Sequence, residues 1–265
     1  MKRELKNFTP PFFIHSDIVN AHNILLAQGE IDRKKNICES HFDFLKKNLG
    51  ENNLIFPSFN YQFSSNLKFN LKNDESEVGS LSEWVRKNTN FKRSFTPFFS
   101  ILTKKKFIVF KKKQYPFGRN SCFEKIFNMN GTFLFYGINF AIFTAIHYLE
   151  TVLGPVPYRY NKTFKGKIIS KNNYIDCEVI LHVRPKKSKL EYDWYKMQND
   201  LIKEGILNKS KNFKNFYFCK SKDVYNFFEK KLRRDIFYML NKKSKQKFVK
   251  LTGGGKKNVC IKDFE

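Results

Sequence analysis

Short apolar runs closed by glycine, proline or polar clusters alternate along this chain with stretches whose apolar residues recur three and four apart. Pro11-Phe-Phe-Ile14 reads as a strand that runs into the polar cluster His15-Ser16-Asp17. Leu54-Ile-Phe-Pro-Ser-Phe59 is a second such run, and Pro57 marks its exit from a sheet. The stretch between them, around Arg33 to Leu49, has helical spacing, so the order is β-α-β and the two strands should pair in parallel. Residues 60–78 read as a polar loop. Ser80-Leu-Ser-Glu83 has the spacing of a capping box, which starts a helix through Trp84 and Val85. Ile101 to Lys113 alternates lysine clusters with Phe107-Ile-Val-Phe110, a pattern that predicts a β-ribbon with one charged side.

Gly131-Thr-Phe-Leu-Phe-Tyr-Gly137 has the length and composition of a buried strand. After it, Phe143, Ile146, Leu149 and Leu153 recur at helical spacing and predict one helix from Phe143 onward. Cys177-Glu-Val-Ile-Leu-His-Val183 alternates as a strand does, and helix formers fill Tyr192 to Ile206 and Ser221 to Lys245. No internal repeat and no linker interrupts the pattern. The expected fold class is therefore α/β: a single layered α/β/α domain over residues 1–265 with a central mixed β-sheet.

Composition narrows the possibilities. A hydrophobic fraction of 41% with 17% aromatics excludes disorder as the general state. There is no apolar run of membrane-spanning length, and Met1-Lys-Arg-Glu-Leu-Lys-Asn lacks the apolar core of a signal peptide, so a cytoplasmic location is expected. Five cysteines without a CxxC pair match reduced thiols, and neither a disulfide framework nor a metal site is expected. Fifty Lys and Arg against 24 Asp and Glu leave a net charge of +26, which favours anionic small molecules over polycations. The lysine runs at 104–106, 111–113 and 242–247 carry no nucleic-acid motif, so nucleic acid is not the expected partner. Thr252-Gly-Gly-Gly-Lys-Lys257 lacks the first glycine and the closing Ser or Thr of a phosphate loop and reads as a flexible tail.

Candidate chemistry gathers on the helix after the 131–137 strand. His147 and Glu150 are three apart and hence neighbours on one helical side. A carboxylate there can fix the tautomer of the imidazole and raise its basicity, which suits a general base, although the same spacing also describes a surface pair. His22, His41 and His182 lie in no ligand spacing and read as structural or surface residues.

Taken in order, the landmarks resemble the aminoglycoside 3-N-acetyltransferase family. The matching pieces are Phe13-Ile-His15-Ser16, Leu54 to Phe59, Glu77-Val-Gly-Ser-Leu-Ser-Glu-Trp84 and Arg93-Ser-Phe-Thr-Pro97 with Ser100. Tyr115-Pro-Phe-Gly-Arg-Asn-Ser121, Thr144 to Glu150, Val156-Pro-Tyr-Arg-Tyr160 and Lys162-Thr-Phe-Lys-Gly166 follow. They cover residues 8–185; residues 186–265, rich in lysine, match loosely. The resemblance implies transfer of acetyl from acetyl-coenzyme A to a primary amine of a small molecule. It makes His147 the base and Glu150 its orienting partner. It also assigns coenzyme A contacts to His15, Ser16, Asp17 and Ser121, with Arg119 and Arg93 as phosphate partners. Thr96, Asn139 and Phe143 fall where the acceptor would lie.

The departures from the family pattern bear on the acceptor. Asp17 stands where a second serine is common, Thr96 where a histidine is common, and Asn139-Phe-Ala-Ile-Phe143 replaces a polar or acidic loop. With the net charge, exposed aromatics on that loop point to a nucleotide-linked amino sugar of surface-polysaccharide synthesis as acceptor. An aminoglycoside acceptor and a non-catalytic basic binding protein of the same fold remain open, as does a homodimer.

Overall fold

Phe12–Ser16 form the middle strand, β1, of a seven-stranded sheet in the computed structural model, which describes residues 1–29, 34–105, 107 and 109–260. Helices α1 (Ile18–Ala27) and α2 (Ile37–Leu49) lead to β2 (Leu54–Pro57), which pairs in parallel with β1 as the β-α-β order predicts. The expected start of the second helix at Arg33 lies outside the described residues. The segment 60–78 is not all loop: it holds a one-turn helix, α3 (Phe63–Asn66), and β3 (Lys68–Asn70), because Phe63 and Phe69 are fully buried anchors among polar neighbours.

Helix α4 (Ser80–Asn88) forms where expected, but without the capping box. Glu83 instead accepts from the backbone N–H of Ser76 at 2.7 Å and pairs with Arg86, so its carboxylate serves the preceding loop. Among the described residues the expected ribbon over 101–113 does not form either. Ile101–Thr103 is β5 and pairs antiparallel with both β2 and β4 (Lys92–Arg93), whereas Lys113–Gln114 is β6 in a different sheet. Lys106 and Ile108 of that stretch lie outside the described residues.

Helix α5 (Cys122–Asn128) precedes β7 (Thr132–Tyr136), which is parallel to β1 over its whole length. The predicted helix from Phe143 starts later: a 3-10 turn at Phe140–Ile142 intervenes, and α6 spans Ile146–Val152. Strands β8 (Tyr160–Ser170) and β9 (Asn173–Val183) form a long hairpin in register from Tyr160–Val183 to Ser170–Asn173. With β3 and β6 they make a four-stranded sheet, order β3-β8-β9-β6, that the sequence pattern did not separate from the central one. Then come α7 (Trp194–Lys203), β10 (Asn208–Lys209), β11 (Phe216–Lys220), α8 (Ser221–Arg234) and α9 (Lys242–Thr252). The central order is β10-β11-β7-β1-β2-β5-β4, and it is mixed, since β11 runs antiparallel to β7.

Alternation along the strands sorts the core into two layers. Phe12, Ile14, Leu54, Phe56, Leu134 and Tyr136 pack on α1, α2 and α4. Phe13, Ile55, Phe133 and Phe135 face the other way, toward α5, α6, α7, α8 and the hairpin. His15 belongs to this second face, stacked on Phe135 with ring centroids 5.3 Å apart. The chain leaves β7 through Gly137 at φ +77°, where a Cβ would lie 2.2 Å from the Asp17 carbonyl oxygen and 2.6 Å from the Ala21 nitrogen. Only glycine lets the ends of β1 and β7 approach this closely before the chain turns toward α6.

Candidate active site

His147 is the second residue of α6, and its side chain keeps 25% of its surface exposed while Glu150, one turn on, is fully buried. The helical i to i+3 relation brings His147 Nδ1 to 2.8 Å from Glu150 Oε2. Two residues from distant segments complete the cluster. Arg159, just before β8, brings Nε to 2.9 Å from Glu150 Oε2 and Nη2 to 3.2 Å from His147 Nδ1. Tyr192, just before α7, donates its hydroxyl to Glu150 Oε1 at 2.7 Å and accepts from Arg159. Arg159 also donates Nη1 to the His182 carbonyl oxygen at 3.0 Å.

The electrostatics decide the tautomer. Burial by itself would raise the Glu150 carboxyl, but Arg159, His147 and Tyr192 together bring it down to about 2, so it is ionised at neutral pH. An ionised carboxylate can only accept, and Arg159 Nη2 already donates to the Tyr192 hydroxyl, so the shorter 2.8 Å contact assigns the proton to His147 Nδ1 and the lone pair to Nε2. Burial, reinforced by the positive charges of Arg159 and Arg184 and opposed by Glu150, holds the imidazole below its ordinary value. His147 is therefore neutral at pH 7, with a free basic nitrogen. It borders a cavity of about 460 Å³ lined also by Tyr61, Phe99, Phe117, Thr144, His182, Arg184 and Trp194. That arrangement can take a proton from a group bound in the cavity.

The other expected site residues fall in three places. Thr96, Arg119 and Ser121 line a second cavity of about 270 Å³ with Gln114, Lys111 and Lys113, and Phe99 borders both cavities. Ser121 caps α5, its hydroxyl accepting from Glu124 N–H at 3.1 Å; Arg119 is exposed. His15, Ser16 and Asp17 lie at the carboxyl end of β1, away from the lining of either cavity. His15 is 3% exposed, and burial pushes it down to about 3, so it is neutral. Successive ring contacts through Phe13, Phe123 and Phe117 connect His15 to His147. Asp17 gives its backbone N–H to the Tyr136 carbonyl and caps α1 through its carboxylate, which accepts from Val19 and Asn20. Asn139 is exposed and caps the 3-10 turn through Ala141 N–H.

Two expectations need correction. Phe140 and Phe143 are not exposed loop aromatics: both are fully buried and pack against each other and Phe135, because the 3-10 turn seats them between β7 and α7, where Phe140 meets the Trp194 ring and gives its N–H to Gln198. Phe143 thus offers no open ring face to a ligand. Arg93 is buried and engaged with Ser100 Oγ at 2.9 Å, the Ser58 carbonyl at 2.7 Å and the Asp74 carbonyl, so it braces the exit of β2 and is not a phosphate partner. From the sequence, Arg159, Tyr192 and Arg184 carry no role, and His182 reads as a structural or surface residue. Arg159 stood inside a matched motif, Val156 to Tyr160, which was the one available signal.

A model of the family described as aminoglycoside 3-N-acetyltransferase matches residues 41–233. Among solved structures, the aminoglycoside acetyltransferase AAC-IIIb in binary complex with CoASH superposes with a TM-score of 0.69 at 12% identity, covering 88% of this chain and 94% of that one. A variant of AAC(3)-IVa in complex with a gentamicin gives 0.65 at 16% identity over 91% of each chain. YokD from Bacillus subtilis gives 0.63 at 16% identity over 87% of this chain and 96% of that one. At these identities the likeness concerns the fold. No curated protein matches by sequence.

Proposed function

The chain belongs to the aminoglycoside 3-N-acetyltransferase family, whose model spans residues 41–233, and on that premise we propose that His147 is the base of its acetyl transfer. It is an acetyl-CoA-dependent N-acetyltransferase, with acetyl-CoA as co-substrate and a small-molecule amine as acceptor. No helix among the described residues is long and apolar enough to cross a membrane.

The observation that carries the reading is the 2.8 Å contact between buried Glu150 and Nδ1 of His147, which lines a cavity and keeps Nε2 for a ligand there. An ammonium has no lone pair, so Nε2 takes a proton from the acceptor amine. The neutral amine nitrogen then bonds to the thioester carbon and the carbon–sulfur bond breaks; the proton held on Nε2 goes to the leaving thiolate, and the extra proton on the acylated nitrogen goes to solvent, leaving the amide and the coenzyme thiol. The reading places the coenzyme phosphates at the smaller cavity, where Lys111, Lys113 and Arg119 are exposed cations beside Ser121 and Thr96. Phe99 lines both cavities, so they adjoin at its ring, and the reading has the acyl arm cross there toward His147.

For the acceptor, the family and the gentamicin-bound neighbour favour an amine of an aminoglycoside. A nucleotide-linked amino sugar is the second reading. It is favoured by Arg184 on the cavity wall and by the lack of a carboxylate among the described lining residues, although exposed Glu77 adjoins that wall through Tyr61 N–H at 3.0 Å. The test is a side-by-side assay of thiol release from acetyl-CoA with several aminoglycosides and several nucleotide-linked amino sugars at matched ionic strength. Preferential acetylation of aminoglycosides is expected. Turnover confined to the nucleotide sugars would reverse the acceptor assignment, and no turnover with any amine would overturn the transferase reading.

A further inference from the structure

Glu150 has two carboxylate oxygens, and they are held by different segments of the chain. Oε2 faces His147 and Arg159, one turn before and nine residues after Glu150, while Oε1 takes the hydroxyl of Tyr192, 42 residues further along. Tyr192 is in turn fixed by the C-terminal segment. It forms a β-bridge with Leu240, and the bonds on either side are Asp193 N–H to the Met239 carbonyl at 2.9 Å and Asn241 N–H to the Glu191 carbonyl at 3.1 Å. Ser244, in the first turn of α9, accepts from Glu191 N–H at 2.9 Å, and Asn241 Nδ2 donates to the Glu191 carboxylate at 2.8 Å. Phe237, Leu240 and Phe248 pack this segment on Val156 and Tyr158, the residues that lead to Arg159.

We propose that Tyr192 is a positioning residue of the acetyl-transfer site and that residues 236–252 hold it in place. This rests on His147 being the base. A carboxylate with one oxygen unbound can rotate about its terminal torsion, and the ring nitrogen then loses its fixed acceptor. Tyr192 stops that rotation by occupying Oε1. Its ring adds a second restraint, lying 5.8 Å from the Arg159 guanidinium and 5.1 Å from the Trp194 ring. The lysine-rich part of the chain thus has a role in the chemistry without touching the reacting atoms.

The test compares full-length Tyr192→Phe, Ser244→Ala and His147→Gln with the unaltered protein, using acetyl-CoA and an acceptor turned over by the latter. Tyr192→Phe keeps the ring and removes the hydroxyl. It should lower kcat about 10- to 100-fold, the weight of a lost orienting partner, with KM for acetyl-CoA unchanged. The acid limb of kcat/KM should also move to lower pH, because Glu150 raises the His147 pKa and a loosened carboxylate does so less. Ser244→Ala should shift both quantities in the same direction by less. Normal kcat and an unmoved acid limb in a folded Tyr192→Phe protein, with His147→Gln inactive, would overturn the positioning role and leave the base assignment standing. Full turnover by His147→Gln would remove the base assignment itself.

Discussion

Glu150 Oε2 lies 2.8 Å from His147 Nδ1 and 2.9 Å from Arg159 Nε, so one buried carboxylate both orients the base and neutralises a buried guanidinium. The two tasks separate in mutants. His147→Gln removes the base alone, whereas Glu150→Gln also leaves Arg159 charged, 6% exposed and without its counter-ion. Glu150→Gln should therefore lose stability by about 3–5 kcal/mol, the scale for removing one partner of a buried pair. Urea titration checks it: His147→Gln should stay close to the unaltered protein, and Glu150→Gln should unfold at clearly lower denaturant.

The pH dependence of activity follows from the His147 shift. The base works when deprotonated, and its pKa is depressed below the ordinary 6.5 by burial and by Arg159 and Arg184. Activity should hold as pH falls through 6.5 and decline only below it. A kcat/KM profile with an acid limb at or above 6.5 would show that the carboxylate outweighs burial.

Stability should respond to acid earlier than carboxylate titration alone would give. Burial lowers His15 to about 3, and burial together with the charge of His22 lowers His41 to about 4. Their folded values lie below the unfolded value, so their contribution is present above pH 6.5 and lost as pH falls through that value toward the folded ones. Between pH 6.5 and 5 each accounts for about 2 kcal/mol at most. Denaturant titrations at pH 7.5 and 5 should show the loss, and His15→Leu should reduce it.

Gly137→Ala should destabilise the protein by more than about 1 kcal/mol. The added Cβ would meet backbone of Asp17 and Ala21 well inside contact distance, at a φ that L-residues rarely adopt. Thermal melting of that variant is the check, and an unchanged Tm would mean that the ends of β1 and β7 can separate without cost.

What could be read from the sequence depended on the range of the interaction. The strands at Phe12, Leu54 and Thr132 were legible because a buried parallel strand is a short continuous apolar run. The His147–Glu150 pair was legible because one helical turn makes it. Helix α6 starts later than the periodicity predicts, at Ile146, because Phe143 continues the helical period across a 3-10 turn that ends in the core. The ribbon at 101–113 failed for a related reason: alternating lysines and aromatics fix which side is polar, not which sheet receives each end. Arg159 and Tyr192 reach Glu150 only through tertiary structure, and no local period links residues 9 and 42 apart.

Single-turnover kinetics of His147→Gln, alongside a direct measurement of acetyl-CoA binding, tests the central claim. The account predicts a chemical step slowed by roughly 10²–10⁴-fold, the usual weight of a general base, with acetyl-CoA binding unchanged. A variant that binds acetyl-CoA normally and transfers acetyl at the unaltered rate would contradict it.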